Sequence, residues 1–257
     1  MTIAVSVDGH VAELTLNRPE RRNSMTWEMG AAIAAAVQEL NARDDVRVLI
    51  VRGAGDCFSA GGDFGLLEER ANSRGDENRR AMRAFYASYL SLLEVRVPAI
   101  AALHGHALGA GLCFALACDV RIASDDAKLG VTFVRIGLHP GMGATHLLER
   151  AVGVAHAADL LLSGRVVDAA EALRIGLVSR VCLRGELLQT ARALADDIAS
   201  AAPVAVQQTK ATLRRPRSLE DALDREAAMQ AIDYATDDLR EAILAFRERR
   251  PPRFEGR

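Results

Sequence analysis

Residues 98–124 read PAIAALHGHALGAGLCFALACDVRIAS, and this stretch decides the fold. The apolar run from Val97 to Leu103 has the length and composition of a buried strand, and it enters a glycine-rich loop, GHALGAG. A helix of small residues follows and ends near Cys118. A further strand, Val120 to Ala123, comes at once. Strand, glycine turn, helix and strand in that order predict a βαβ unit in a largely parallel sheet.

Upstream, the same order occurs once more. Val46 to Val51 reads as a buried strand that runs into GAGDCFSAGGD, and a polar helix rich in Arg and Glu spans Glu68 to Arg83. Before it, Val5, Val7, Val11, Leu14 and Leu16 alternate around Asp8-Gly9 as in a β-hairpin. After LNRPERRN, apolar residues Trp27, Ala31, Val37 and Leu40 recur at helical spacing until the polar stop at Asn41 to Asp45. Downstream of Ala155 the one strand expected lies near Leu177 to Val181. The rest reads as helix, broken at Ala202-Pro203 and at Arg215-Pro216, and ends in FRERRPPRFEGR. The two strand and glycine-loop units are too dissimilar to form a solenoid repeat.

The chain has 257 residues, half of them apolar, with 32 basic against 34 acidic side chains. That balance lacks the electrostatic footprint of a nucleic-acid binder. No apolar stretch is long enough for a membrane span, so no membrane insertion is expected, and the first residues lack the pattern of a signal peptide. Four cysteines (Cys57, Cys113, Cys118, Cys182) without a CxxC and without His at metal spacing predict neither disulfides nor a metal site. The expectation is a cytoplasmic protein with reduced thiols.

The sequence contains no GxGxxG, GxxxxGK[ST], GxSxG or HExxH. Two glycine-rich turns remain, each after a strand, the second opening a helix at about Gly109. Small residues there let a ligand approach backbone N–H groups, and a helix start adds partial positive charge. Two N–H groups aimed at one oxygen stabilise an enolate or tetrahedral oxyanion by a few kcal/mol per donor. The plainer alternative is glycines that only permit tight turns and close packing.

The segments LNRPERRNSM, FSAGGDF, PAIAALHGHALGAG, ACDVRIAS, GLHPGMGATHLL, APVAVQQTK and FRERRPPRF occur in one order over nearly the whole chain. In these segments the sequence resembles the crotonase superfamily, also called the enoyl-CoA hydratase/isomerase family. The resemblance implies an α/β fold: a ClpP/crotonase-like spiral of repeated ββα units over residues 1–195. Residues 196–257 would then form a helical C-terminal segment that builds a homo-oligomer, a trimer or a dimer of trimers. It implies an acyl-CoA thioester as partner, with coenzyme A entering as part of the substrate and no other cofactor. By the same pattern the oxyanion N–H groups belong to Ala60 and Ala110. Gly61, Gly62 and Asp63 would lie near the pantetheine and adenine of CoA, and Arg22 near a phosphate. Phe246 and Arg249 match C-terminal positions that in relatives reach CoA, often that of a neighbouring subunit.

The pattern fails at two places. Family hydratases hold a water between two glutamates, which pass protons to and from the substrate. Those glutamates align with Cys113 and Phe133, so the resemblance implies that ordinary two-carboxylate hydration is absent or impaired. His139, ahead of Pro140, is a candidate acid/base group, with a solvent-facing turn histidine as the bland alternative. Cys113 is either a nucleophile at a helix start or a small buried apolar side chain, and the latter is the more frequent case. Glu68 and Glu69 read as a solvated helix face, and His106, Tyr86 and Tyr89 are candidates to line the acyl tunnel. Three functions stand open: an enzyme that stabilises a thioester enolate, a non-catalytic acyl-CoA binding or delivery protein, and an oligomeric partner with a vestigial groove.

Overall fold

A computed structural model describes residues 1–214 and 218–257. The expected break at Arg215-Pro216 lies outside the described residues. Along the chain come β1 (Ile3–Asp8), β2 (Val11–Leu16), α1 (Trp27–Asn41), β3 (Val48–Gly53), α2 (Phe64–Ala71), α3 (Gly75–Leu90), β4 (Ala99–Leu103) and β5 (His106–Leu108). They are followed by α4 (Ala110–Leu116), β6 (Val120–Ser124), β7 (Lys128–Gly130), α5 (Ala144–Ser163), β8 (Val166–Asp168), α6 (Ala169–Arg174) and β9 (Arg180–Cys182). The helices α7 (Leu187–Ala199), α8 (Pro203–Leu213), α9 (Leu219–Asp233) and α10 (Asp237–Glu248) complete the chain.

Two sheets build the core. The larger has the order β1-β2-β3-β4-β6-β9 and is parallel except for the β1/β2 hairpin, whose register closes at Asp8 and Val11. The smaller has the order β5-β7-β8, and an isolated parallel bridge from Ser59 to Ala107 continues it. Each turn of the chain therefore leaves one strand in each sheet before a helix: β4 with β5, then α4; β6 with β7, then α5. This is the expected ββα spiral.

The large sheet is covered on both faces, which is why its strands read as nearly continuous apolar runs. In β3, Leu49 and Val51 enter the main core, while Val48 and Ile50 face the opposite way. Leu187, Ala191, Ala195 and Ala199, one helical turn apart on α7, cover that second face, which Ile100, Ala102 and Ile122 of the neighbouring strands continue. The boundary expected between residues 195 and 196 falls inside α7. Asp119 fastens α8 to this body: its carboxylate accepts from Lys210 at 2.9 Å, from Arg214 at 2.8 Å and from the Ala99 amide at 2.8 Å. Burial pushes the Lys210 ammonium below its ordinary range, and the facing Asp119 charge opposes that shift.

Other departures from the sequence reading have local causes. The polar helix expected over residues 68–83 is two helices, because Asn72 ends α2 and Arg74 starts α3 anew. The three-residue strand β8 went unpredicted, being too short to show alternation. The strand expected near Leu177 to Val181 is β9, shifted toward the chain end.

Candidate active site

The site forms where the two glycine turns meet. Ser59 donates its amide to the His106 carbonyl at 2.9 Å, and Leu108 donates to the Ser59 carbonyl at 3.0 Å, so residues 59–62 run beside residues 106–110. This approach requires two glycines. A Cβ at Gly61, whose φ is +98°, would lie 2.7 Å from the Leu108 carbonyl oxygen and 3.5 Å from the Ala110 nitrogen. A Cβ at Gly111 would lie 2.7 Å from the Ser59 carbonyl oxygen.

The donors are not quite the expected pair. The Ala60 N–H is spent, donating to the Arg22 carbonyl at 2.9 Å, and the Gly61 N–H donates to Ser59 Oγ at 3.2 Å. Gly62 bridges Met25 through its neighbours alone: Met25 donates to the Gly61 carbonyl, and Asp63 donates to the Met25 carbonyl. Among the described residues the Gly62 and Ala110 amides have no hydrogen-bond partner, and a Cβ at Gly62 would meet nothing within 4 Å. The amide left unpaired beside Ala110 is thus that of Gly62 and not that of Ala60. Which amide stays free depends on pairing with residues 22–25, more than thirty positions away, and no local pattern signals that.

Arg22 and Asn23 shape this strand through their backbones. Both adopt left-handed conformations, with φ of 51° and 53°. The buried Asn23 amide donates to the Ala54 and Cys57 carbonyls at 2.9 Å, and its oxygen accepts from the Arg18 N–H at 2.9 Å. The Arg22 side chain is left exposed, free to face an anion. Asp63, expected near CoA, caps α2: it accepts from Gly65 N–H at 3.0 Å, Ser24 Oγ at 2.8 Å and Arg18 at 3.4 Å. The Ser24 hydroxyl, more than any other group, holds its carboxyl below the usual range. Asp63→Ala should lower stability by about 1 kcal/mol, the ordinary worth of such a cap. Because the folded pKa is depressed, the difference from wild type should persist above the unfolded pKa and vanish as pH falls through the folded one. Urea midpoints measured between pH 3 and 7 check this; a difference that stays constant to pH 3 would contradict the cap.

Cys113 and Phe133 stand where the resemblance places the two glutamates. Cys113 is fully buried, its thiol is pushed up to about 12 by burial, and its Sγ points at the Gly141 carbonyl from 3.7 Å. It is a packed thiol and not an activated nucleophile. Phe133 is half-buried against the core at the start of a single 3-10 turn. His139 is exposed, turns Nδ1 toward the Pro140 carbonyl at 2.8 Å, and lines a groove of about 570 Å³ with Val134, Glu149 and Leu162. Cys113 and Tyr86 do not line that groove. His106 is also exposed, and Tyr89 is a core residue whose hydroxyl donates to the Thr26 carbonyl at 2.7 Å.

Phe246 is 86% exposed on α10, and Arg249 ends that helix in a left-handed conformation with its side chain exposed. Among the described residues no cluster of three His, Cys, Asp or Glu could hold a metal ion, and no helix is long and apolar enough to cross a membrane.

The pattern described as enoyl-CoA hydratase/isomerase matches residues 6–257. The (E)-benzylidenesuccinyl-CoA hydratase of Thauera aromatica is 38% identical over 263 residues, covering the whole of both chains. The crystal structure of an enoyl-CoA hydratase from Bacillus anthracis superposes with a TM-score of 0.94 at 33% identity, again over the whole of both chains. DspI of Pseudomonas aeruginosa superposes with a TM-score of 0.92 at 34% identity, over 98% of this chain and 96% of that one. The spiral, the paired glycine turns and these end-to-end matches agree: the chain belongs to the enoyl-CoA hydratase/isomerase family.

Proposed function

We propose that this chain binds an acyl-CoA thioester and stabilises its enolate between the Gly62 and Ala110 N–H groups, without the two-carboxylate hydration of its relatives. The observation that carries the reading is the combination of two unpaired amides on adjoining turns with a buried thiol and a phenyl ring at the glutamate positions. Two such donors act wherever negative charge develops on the thioester oxygen, whatever bond is broken next. Losing both carboxylates removes the groups that would hold and deprotonate water.

In this reading Arg22 meets a CoA phosphate, and Gly61 and Gly62 border the pantetheine. Phe246 and Arg249 act across a subunit boundary in a trimer or dimer of trimers, and the protein works in the cytoplasm. Their exposure on a single chain suits that assignment.

The test incubates the purified protein with saturated, enoyl and malonyl-type CoA thioesters and follows binding by calorimetry and products by mass spectrometry. We expect saturable binding of the thioesters and hydration of crotonyl-CoA no faster than in buffer. Rapid hydration would overturn the missing-carboxylate argument, and absent binding would overturn the cradle.

A further inference from the structure

The cluster around Cys113 holds one protic group that the reading above leaves without a role. Tyr86, on α3, is half-buried, and its hydroxyl sits against the first glycine of the PGMG turn. A Cβ built on Gly141 would stand 2.4 Å from the hydroxyl oxygen and 2.9 Å from the carbon that bears it. The same Gly141 carries the carbonyl that Cys113 Sγ faces. Tyr86, Gly141 and Cys113 therefore close on one another, and Cys113 lies one helical turn after Ala110.

The side chain is held in this direction by its neighbours. Phe85 and Tyr89, the residues before it and three after it, are buried and anchor α3. Phe85 packs edge-on to Trp27 at 5.1 Å, and Tyr89 packs edge-on to Phe114 of α4 at 5.8 Å. Tyr86 itself meets Phe85 edge-on at 6.4 Å. Its hydroxyl has no hydrogen-bond partner among the described residues. A half-buried phenol of this kind leaves a donor and an acceptor open to whatever enters the site.

We propose that Tyr86 Oη is the group that carries a proton to and from the α-carbon of the bound thioester, in place of the carboxylates absent at positions 113 and 133. The proposal rests on the acyl-CoA reading of the cradle. In the exchange step the phenolate oxygen takes the α-proton, and the C–H electron pair moves into the thioester carbonyl as an enolate held by Gly62 and Ala110. The hydroxyl then swaps its proton with solvent and returns one to the α-carbon, so atoms and charge balance without a co-reactant. An enolate left by loss of carbon dioxide from a malonyl-type thioester would be quenched by the same hydroxyl.

Burial raises the Tyr86 phenol above its ordinary range, and Cys113 is the titratable group whose charge adds to that shift. The hydroxyl is thus protonated at neutral pH, suited to give a proton to an enolate, and its basic form grows tenfold per pH unit through the neutral range.

The experiment measures α-deuterium uptake into butyryl-CoA in heavy water by mass spectrometry, with dissociation constants on the same samples. Tyr86→Phe keeps the ring and should slow protein-dependent exchange by about 10²-fold with binding unchanged. Biosynthetic replacement of the three tyrosines by 3-fluorotyrosine keeps every hydroxyl but makes it more acidic, and should move the pH profile of exchange toward lower pH. This second form decides the matter even where Tyr86→Phe folds poorly, since a merely structural hydroxyl would leave the profile in place. Exchange that is equal in wild type and Tyr86→Phe, an unmoved profile, or tight binding with no exchange in wild type would each overturn the assignment. Absence of binding by wild type would instead overturn the acyl-CoA reading, and the tyrosine assignment with it.

Discussion

Gly61→Ala should weaken binding of an acyl-CoA thioester by about 100-fold, which is about 2.7 kcal/mol. The backbone at Gly61 has a φ of +98°, a conformation that costs a residue with a side chain about 1–3 kcal/mol. The added methyl would also stand 2.7 Å from the Leu108 carbonyl oxygen, a main-chain atom fixed by the strand that enters α4. One of the two turns must move. The Gly61 carbonyl is the acceptor for the Met25 N–H, so movement there also loosens the pairing that leaves the Gly62 amide unpaired. Stability should fall by about 2–6 kcal/mol, the sum of strain and displaced packing. Gly62→Ala is the informative companion. A Cβ there meets nothing within 4 Å and the backbone angle is ordinary, so folding should be unaffected while the methyl intrudes on the ligand's path. Calorimetric titration with a thioester, read beside urea unfolding of both variants, checks the pair. Unchanged affinity in Gly61→Ala would mean that thioesters bind elsewhere.

Much of this arrangement is legible in the sequence where the signal is local. The hairpin around Asp8-Gly9, the buried strands β3, β4 and β6, and the small-residue helix α4 each announce themselves through apolar runs and glycine turns within a dozen residues. The short strands β5, β7 and β8 do not, because three residues cannot display a period and their pairing is set by the spiral. The site divides the same way. Glycines at 61, 109 and 111 can be read as a place where backbones approach. That Ala60 spends its N–H on Arg22 and leaves Gly62 free follows from a contact between distant segments. Tyr86 is named in the sequence as a candidate for the acyl tunnel, but its position on a polar helix says nothing of the Gly141 turn it meets 55 residues later. His139, by contrast, attracts attention in sequence because of its chemistry, and the fold leaves it exposed, lining a groove with Val134 and Leu162.

Cys113→Glu combined with Phe133→Glu should raise hydration of crotonyl-CoA by about 10³-fold over wild type, while each single change should gain less than about tenfold. The asymmetry follows from the chemistry. A hydrating site needs one group to hold and deprotonate water and another to protonate the α-carbon, and groups that act as a unit are far from additive. In the proposed reading Gly62 and Ala110 hold the enolate oxygen and Tyr86 serves the α-carbon, so what a hydratase still needs is the pair of carboxylates that together hold and activate the water. The exchange has a structural cost. Position 113 is fully buried between α4 and the Gly141 turn, and a longer side chain there overpacks it by about 1–3 kcal/mol. Burial will also raise the pKa of the carboxyl introduced at 113, so hydration in the double variant should increase with pH until that group is ionised. Wild type has no such carboxyl and should show no such rise. The rate of loss of the enoyl absorbance, followed across pH 5 to 9 at saturating thioester, measures both effects. A double variant that binds the thioester as tightly as wild type yet gains nothing would show that the pocket differs from a hydratase beyond these two positions, with Tyr86, wedged against Gly141, as the next residue to change.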